Sequence, residues 1–256
     1  MRNEHDVDRI DDPARANEIR SVLLRKYGLR SLYQEIYARY QSSLSQTPQQ
    51  GVPIELGAGA GFVKNVIPDM MTTDILAYHG IDAAVDGTRM PFPDNSIRFV
   101  CMWNVLHHIP DAEALFRELD RCLVPGGRVL IQDQHVGWIS RWVLRYIHHE
   151  PFRPEAAEWA FTTTGPLSGA NGALAWMIFQ RDVSNFRTLF PRLRIHAYQP
   201  HSPLRFWLAG GLKSWSLIPP GTWSLVTALD RLLIRLSPQF GSFVEIELEK
   251  LETTPA

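Results

Sequence analysis

The feature that most limits what this chain can fold into is the stretch Val52-Pro53-Ile54-Glu55-Leu56-Gly57-Ala58-Gly59-Ala60-Gly61. A short apolar run that ends in three alternate glycines reads as a strand entering a tight turn. Glycine there lets the backbone come close to a ligand and adopt conformations that a Cβ would block. In an open parallel sheet the natural place for such a turn is the carboxyl end of the first strand. The spacing is GxGxG, whereas dinucleotide sites use GxGxxG with pyrophosphate on the following helix. Glu55, two positions before the first glycine, suits an ammonium or hydroxyls better than a pyrophosphate.

Beyond the turn, short apolar runs alternate with helical patterns. Strands are expected at 52–56, 70–73, 83–85, 99–103 and 128–132, with helices near 62–67 and 111–123. The second of these helices opens on a capping Asp111 and stops at Pro125-Gly126-Gly127. Alternating strands and helices imply a mainly parallel sheet covered on both faces. Before it, residues 13–46 read as helical, with Ile19, Val22, Leu23, Leu32 and Ile36 at helical spacing, and 47–51 is a polar linker. After 134 the pattern loosens into a helix at 139–147, a Gly/Thr/Pro/Ser-rich loop at 154–173 and a helix at 182–190. Period-two runs at 193–198 and 243–248 suit a closing antiparallel pair. Between them lies an insertion, 203–240, whose Leu225, Leu229, Leu232, Leu233 and Leu236 form a helical stripe. Asp74, Asp86 and Asn104 stand where the second, third and fourth strands end, so polar groups line successive carboxyl ends.

Lys and Arg number 26 against 27 Asp and Glu, a balance that argues against nucleic acid as the main partner. Cys101 and Cys122 lie in apolar stretches without CxxC spacing, so neither a disulfide framework nor a zinc site is expected. The start of the chain, 1–12, is polar and carries no signal-peptide pattern, and no window of about 18 apolar residues offers a spanning helix. A reducing cytoplasmic address is expected.

Residues 52–134 resemble the class I S-adenosylmethionine (SAM)-dependent methyltransferases of the small-molecule type. The pieces that carry the resemblance are Ile54 to Gly61, Thr73-Asp74-Ile75, Val85-Asp86-Gly87, Met90-Pro91-Phe92-Pro93-Asp94-Asn95-Ser96, Asn104-Val105-Leu106-His107-His108-Ile109 and Leu123-Val124-Pro125-Gly126-Gly127-Arg128. The resemblance implies a Rossmann-like α/β fold, with a seven-stranded mixed sheet, helices on both faces and an elaborated C-terminal cap. It divides the chain into an N-terminal helical segment (1–50) and a methyltransferase domain (51–256) with insertions at 135–180 and 200–242. It implies SAM as cofactor, held by Glu55, Gly57, Ala58, Gly59, Gly61, Asp74, Ile75, Asp86, Gly87 and Asn104. Gly57 and Gly59 would approach the methionine part and Glu55 would shape the turn. Asp74 would hold the ribose and Asp86 would face the adenine. Asn104 would lie under the methionine, and His107 and His108 near the methyl group. Two positions depart from the family pattern: Ser96-Ile97-Arg98 lacks the usual carboxylate at the start of the fourth strand, and Ala60 replaces a small hydroxyl residue.

Methyl transfer needs alignment, plus a base when the acceptor carries a proton. Candidates are His107, His108, His135, His149 and Glu150. His149 and Glu150 read as base and orienting group or as metal ligands, but adjacent residues on a helix point in different directions, so spacing supports neither, and no metal ion is expected. The 165–173 loop reads as a lid. The leucine stripe reads first as a cap on the core or a dimer face, and second as a peripheral contact at the inner membrane. A weaker resemblance, around His148-His149-Glu150-Pro151-Phe152 and 165–172, is to bacterial methyltransferases of cell-surface glycan synthesis. Together these point to O-methylation of a small molecule or of a glycan or lipid-linked precursor. C- or N-methylation of a quinone or amine, and a SAM-binding partner protein without catalysis, are the alternatives.

Overall fold

The structure is a computed structural model that describes residues 14–77, 79–165 and 169–252. The polar start and 166–168 of the glycine-rich loop lie outside the described residues. Seven strands form one sheet: β1 Val52–Leu56, β2 Met71–Asp74, β3 Ala83–Ala84, β4 Ile97–Trp103, β5 Leu123–Gln134, β6 Leu193–His201 and β7 Phe243–Lys250. Their order is β3-β2-β1-β4-β5-β7-β6. All pairs are parallel except those of β7, which runs antiparallel between β5 and β6. The chain leaves β1 toward β2 and β3, then crosses back to β4 on the other side. The carboxyl ends of β1 and β4 therefore border a topological switch point, where ligands of open α/β sheets bind.

The sequence of β4, Ile97-Arg98-Phe99-Val100-Cys101-Met102-Trp103, is buried on both faces, as an interior parallel strand requires. Val100 and Met102 meet Leu115, Phe116 and Leu119 of α3 (Ala112–Cys122) in one core. Phe99, Cys101 and Trp103 point the other way, into a second core built on Tyr33, Ile36, Tyr37 and Tyr40 of α2 (Tyr27–Leu44). Each such side chain contributes about 1.5–3 kcal/mol by leaving water. Asp111 caps α3 by accepting from the Ala114 amide at 2.9 Å, a contribution of about 1 kcal/mol.

Four local expectations are corrected. The 62–67 helix is only a 3₁₀ turn, Val63–Asn65. Pro68 biases Ile67 out of the helical region, leaving too few residues to repay helix nucleation. The 13–46 helix is two helices, α1 (Ala14–Arg25) and α2, broken at Lys26. The Lys26 ammonium donates to the carbonyls of Ala209, Gly211, Lys213 and Trp215, the second at 2.8 Å and the last two at 2.9 Å. Strand β5 starts at Leu123 rather than 128, with Pro125-Gly126-Gly127 forming a bulge at Gly126 (φ +75°).

The fourth correction concerns the insertion. Helices α4 (Trp138–Tyr146), α5 (Leu174–Trp176), α6 (Val183–Leu189) and α7 (Arg205–Leu208) precede α8 (Trp223–Leu236). The leucine stripe of α8 does not pack on the core. Leu225, Leu229, Leu232 and Leu236 are exposed, and the helix is seated through Trp223, Thr227 and Asp230. The buried Asp230 carboxylate accepts from the Leu204 amide at 2.9 Å and pairs with Arg205 at 3.3 Å. That carboxylate turns the polar edge of the helix inward.

Candidate functional site

The glycine turn is built by the strand order. Gly57 and Gly59 have φ of +68° and +47°, and a Cβ on Gly57 would meet Val105 at 2.3 Å. The Ala58 amide donates to the Thr73 carbonyl at 2.8 Å, and the Gly59 amide to Asp74 Oδ2 at 2.9 Å. Thus β2 fixes the turn that follows β1. From the other side the Tyr37 hydroxyl accepts from the Phe62 amide at 3.0 Å, and Arg20 donates to the Gly61 carbonyl at 2.5 Å. Glu55, Ala58, Gly59 and Gly61 line a small cleft with Arg20. Burial, with the Asp74 charge adding, pushes the Glu55 carboxyl up to about 8. Burial also raises Asp74, against the opposing pull of the Gly59 amide.

Two buried acceptors here, Glu55 Oε2 and Asn104 Oδ1, have no partner among the described residues. Unsatisfied buried acceptors are costly and suit a donor arriving with a ligand. Both fit the ammonium of a bound amino acid moiety. Asn104 is held at φ +55° at the end of β4. Ile75 is at the surface beside Asp74. Asp86 is exposed and accepts from the Thr88 amide and hydroxyl at 2.8 and 2.7 Å, and Gly87 between them is buried.

A second cluster lies beyond the carboxyl ends of β4 and β5. His107 and His108 close the 3₁₀ turn Leu106–His108. His107 is buried, its Nδ1 lies 2.6 Å from Asp133 Oδ1, and its Nε2 lies 3.3 Å from Glu150. Burial disfavours its charged form, but Asp133 and Glu150 overcome that and raise His107 to about 10. His108 Nδ1 faces the Gly169 carbonyl at 3.0 Å and its Nε2 faces Glu150 at 3.6 Å. Burial and the neighbouring His107 lower it. Burial opposes ionisation of Glu150, yet the surrounding histidines hold it well below the usual carboxylate range. Asn171 closes the long loop over this cluster. Its amide donates to the His107 carbonyl at 2.8 Å, and its side chain pairs with both backbone groups of Arg153.

Two expected residues lie outside the cluster. His149 is largely exposed, stacked on His148 and 3.9 Å from Glu150. His135 is buried, but its Nδ1 faces the Tyr198 hydroxyl at 2.9 Å on β6, and burial lowers it to about 4. Asp133 and Gln134 were not singled out from the sequence. Their signal was a carboxylate and an amide inside the apolar run of β5, where a buried polar group needs a partner.

Residues 54–131 match the family described as methyltransferase domain. No curated protein matches the sequence. Among solved structures the chain is similar to a geranyl diphosphate C-methyltransferase from Streptomyces coelicolor A3(2), in complex with Mg2+, geranyl diphosphate and S-adenosyl-L-homocysteine. The two are 14% identical with a TM-score of 0.50, over 91% of this chain and 83% of that one. It is also similar to phosphoethanolamine N-methyltransferase 2 of Haemonchus contortus in complex with SAM, at 12% identity and a TM-score of 0.51, over 96% of this chain and 60% of that one. A third match is the Haloferax volcanii complex between the Trm112 methyltransferase activator and a methyltransferase, at 14% identity and a TM-score of 0.51, over 97% and 99%. The fold is that of the class I methyltransferases, and residues 54–131 carry a methyltransferase domain. The protein is a SAM-dependent enzyme, with SAM as methyl donor.

Proposed function

We propose that the enzyme O-methylates a hydroxyl of a small molecule or glycan precursor, with SAM on the β1 turn and the acceptor at the His107–Asp133–Glu150–His108 cluster. The observation that carries this reading is the buried His107, fixed through Nδ1 by Asp133 and turned through Nε2 toward Glu150. A neutral amine or an electron-rich carbon can attack with its own electron pair, whereas a hydroxyl is a weak nucleophile until it sheds a proton. A cluster of two histidines and two carboxylates at the carboxyl ends of β4 and β5 serves that need. Bound SAM supplies an electrophilic methyl group. Glu55, Asp74 and Asn104 orient its amino acid and ribose ends, and the 169–172 segment keeps water from the cluster. In an acceptor screen led by sugars and lipid-linked sugars, His107→Asn and Glu150→Gln are expected to lower kcat by about 10²–10⁴-fold, with SAM affinity unchanged. Full activity in both variants would contradict the reading and favour carbon or nitrogen methylation.

A second observation favours an acceptor presented at a lipid surface. Trp138, Trp142 and Tyr146 stand in line on the exposed side of α4, and the four leucines of α8 are exposed as well. Arg141, Arg145, Lys213, Arg231 and Arg235 are exposed on the same segments. The sole acidic residue in 138–149 and 203–240 is the buried Asp230. Interfacial aromatics with basic residues suit anionic headgroups, at about 1 kcal/mol per Lys or Arg near the surface. Among the described residues no helix is long and apolar enough to cross a membrane. Co-sedimentation with vesicles containing phosphatidylglycerol is expected, with little on phosphatidylcholine alone. Leu229→Asp with Leu232→Asp should abolish it. A stable dimer in which both leucines are covered, with no vesicle binding, would assign the face to a second copy instead.

A further inference from the structure

The proposed hydroxyl chemistry leaves open how the buried cluster handles the proton, and the following step rests on that reading. We propose that His107, His108 and Glu150 bind one zinc-type divalent cation whose remaining position receives the acceptor hydroxyl.

Three observations support the site. The first is spacing. The donor atoms of these three residues all lie within 4.8 Å of one another. His107 Nε2 and His108 Nε2 lie 3.3 and 3.6 Å from the two oxygens of Glu150. Ligand bonds of about 2.0–2.2 Å meeting at a tetrahedral angle place neighbouring donors about 3.3–3.6 Å apart. The second is orientation. Each histidine has its Nδ1 engaged elsewhere, His107 on the Asp133 carboxylate at 2.6 Å and His108 on the Gly169 carbonyl at 3.0 Å. An Nδ1–H donated to a carboxylate or backbone carbonyl fixes the tautomer and leaves the Nε2 lone pair for a metal. Both Nε2 atoms then face the same carboxylate.

The third is a fourth polar group. The Gln134 amide nitrogen sits 3.3 Å from His107 Nε2 and 3.3 Å from Glu150 Oε2, while its buried oxygen has no partner among the described residues. Half a turn of that amide exchanges the two atoms and offers an oxygen to the cation or to the bound hydroxyl. The ligands come from separate segments: the turn after β4, and the turn after α4 at 148–150. The second-sphere groups come from β5 and the 169–172 loop. His107 and His108 are neighbours in sequence, but Glu150 and the second-sphere groups reach them only through the fold.

Once a cation displaces the proton on His107 Nε2, two imidazoles and one carboxylate with an open position match catalytic zinc sites. A cation there would lower the pKa of a hydroxyl at the open position, as it does for water. The O–H proton leaves to solvent. The oxygen forms its bond to the methyl carbon as the carbon–sulfur bond breaks, and the electron pair of that bond stays on sulfur. The products are the methyl ether and S-adenosylhomocysteine.

The test is titration of chelator-treated full-length protein with Zn2+ by calorimetry, and with Co2+ by its visible spectrum, with SAM binding as the check on folding. One Zn2+ per chain is expected, with a Co2+ spectrum of four-coordinate type. His108→Ala and Glu150→Gln should weaken binding by at least about 100-fold, and the second-sphere variant Asp133→Asn by about 10–100-fold. The site is overturned if protein that still binds SAM takes up neither ion, a result that leaves O-methylation standing. It is also overturned if uptake survives in both His108→Ala and Glu150→Gln, as for an ion on the neighbouring pair His148–His149. Stoichiometric Zn2+ in a chain that binds no SAM would support the site while removing the methyl-transfer reading.

Discussion

Asp74→Ala is expected to weaken SAM binding by about 10–150-fold, the scale of one or two lost hydrogen bonds to a charged group. The side chain has two tasks. Its Oδ2 accepts from the Gly59 amide at 2.9 Å, which fixes the glycine turn, and its Oδ1 reaches the Leu76 amide at 3.3 Å. The ribose role proposed for it adds a third partner. Alanine removes all of these and leaves a buried amide unpaired at Gly59. Asparagine retains an acceptor, so Asp74→Asn should lie between wild type and alanine. Both changes also remove a negative charge that helps keep the Glu55 proton on. Glu55 should then ionise at a lower pH, which partly offsets the loss by favouring an ammonium. Calorimetric titration with SAM and S-adenosylhomocysteine reads the effect. A folded Asp74→Ala protein with unchanged affinity would place the cofactor somewhere other than this turn.

The largest effect on stability is expected from Asp133→Ala. Asp133 is fully buried and accepts from His107 Nδ1 at 2.6 Å, the His107 amide at 3.2 Å and the Gln134 amide at 2.7 Å. Removing one member of a buried charged pair costs about 3–5 kcal/mol, because the partner remains buried without its counter-charge. At about 2–4 °C per kcal/mol for a chain of this size, Tm should fall by about 6–20 °C. Asp133→Asn preserves an acceptor for His107 and should lose less. A thermal or urea transition within about 1 kcal/mol of wild type for Asp133→Ala would show that His107 is not held through this carboxylate.

How much of this was legible in the sequence depends on the range of the interactions. The β1 turn could be read because its glycines, its strand and Glu55 are contiguous. Strand β4 could be read because an unbroken apolar run has few other uses. The 62–67 helix could not, since its apolar spacing competed with Pro68 and with the close start of β2. The His107–His108 pair stood out as two histidines at a strand end. Their partners lie 26 and 43 positions further on, at Asp133 and Glu150, and only the crossover from β4 to β5 and the turn after α4 bring them together. Helical periodicity found the leucine stripe but could not say which side of α8 faces in. Asp230 decides it, because two backbone amides and Arg205 hold that carboxylate inside.

The place of β7 has a consequence for how the chain is made. Of the seven described strands, the one that enters between β5 and β6 is made latest. At synthesis rates of about 5–20 residues per second, β5 waits roughly 5–20 s for its antiparallel neighbour. Throughout that interval its hydrogen-bonding edge has no β7 to pair with. Open edges of this kind recruit other strands. The newborn chain is therefore expected to be most prone to wrong pairing until residues 243–250 dock.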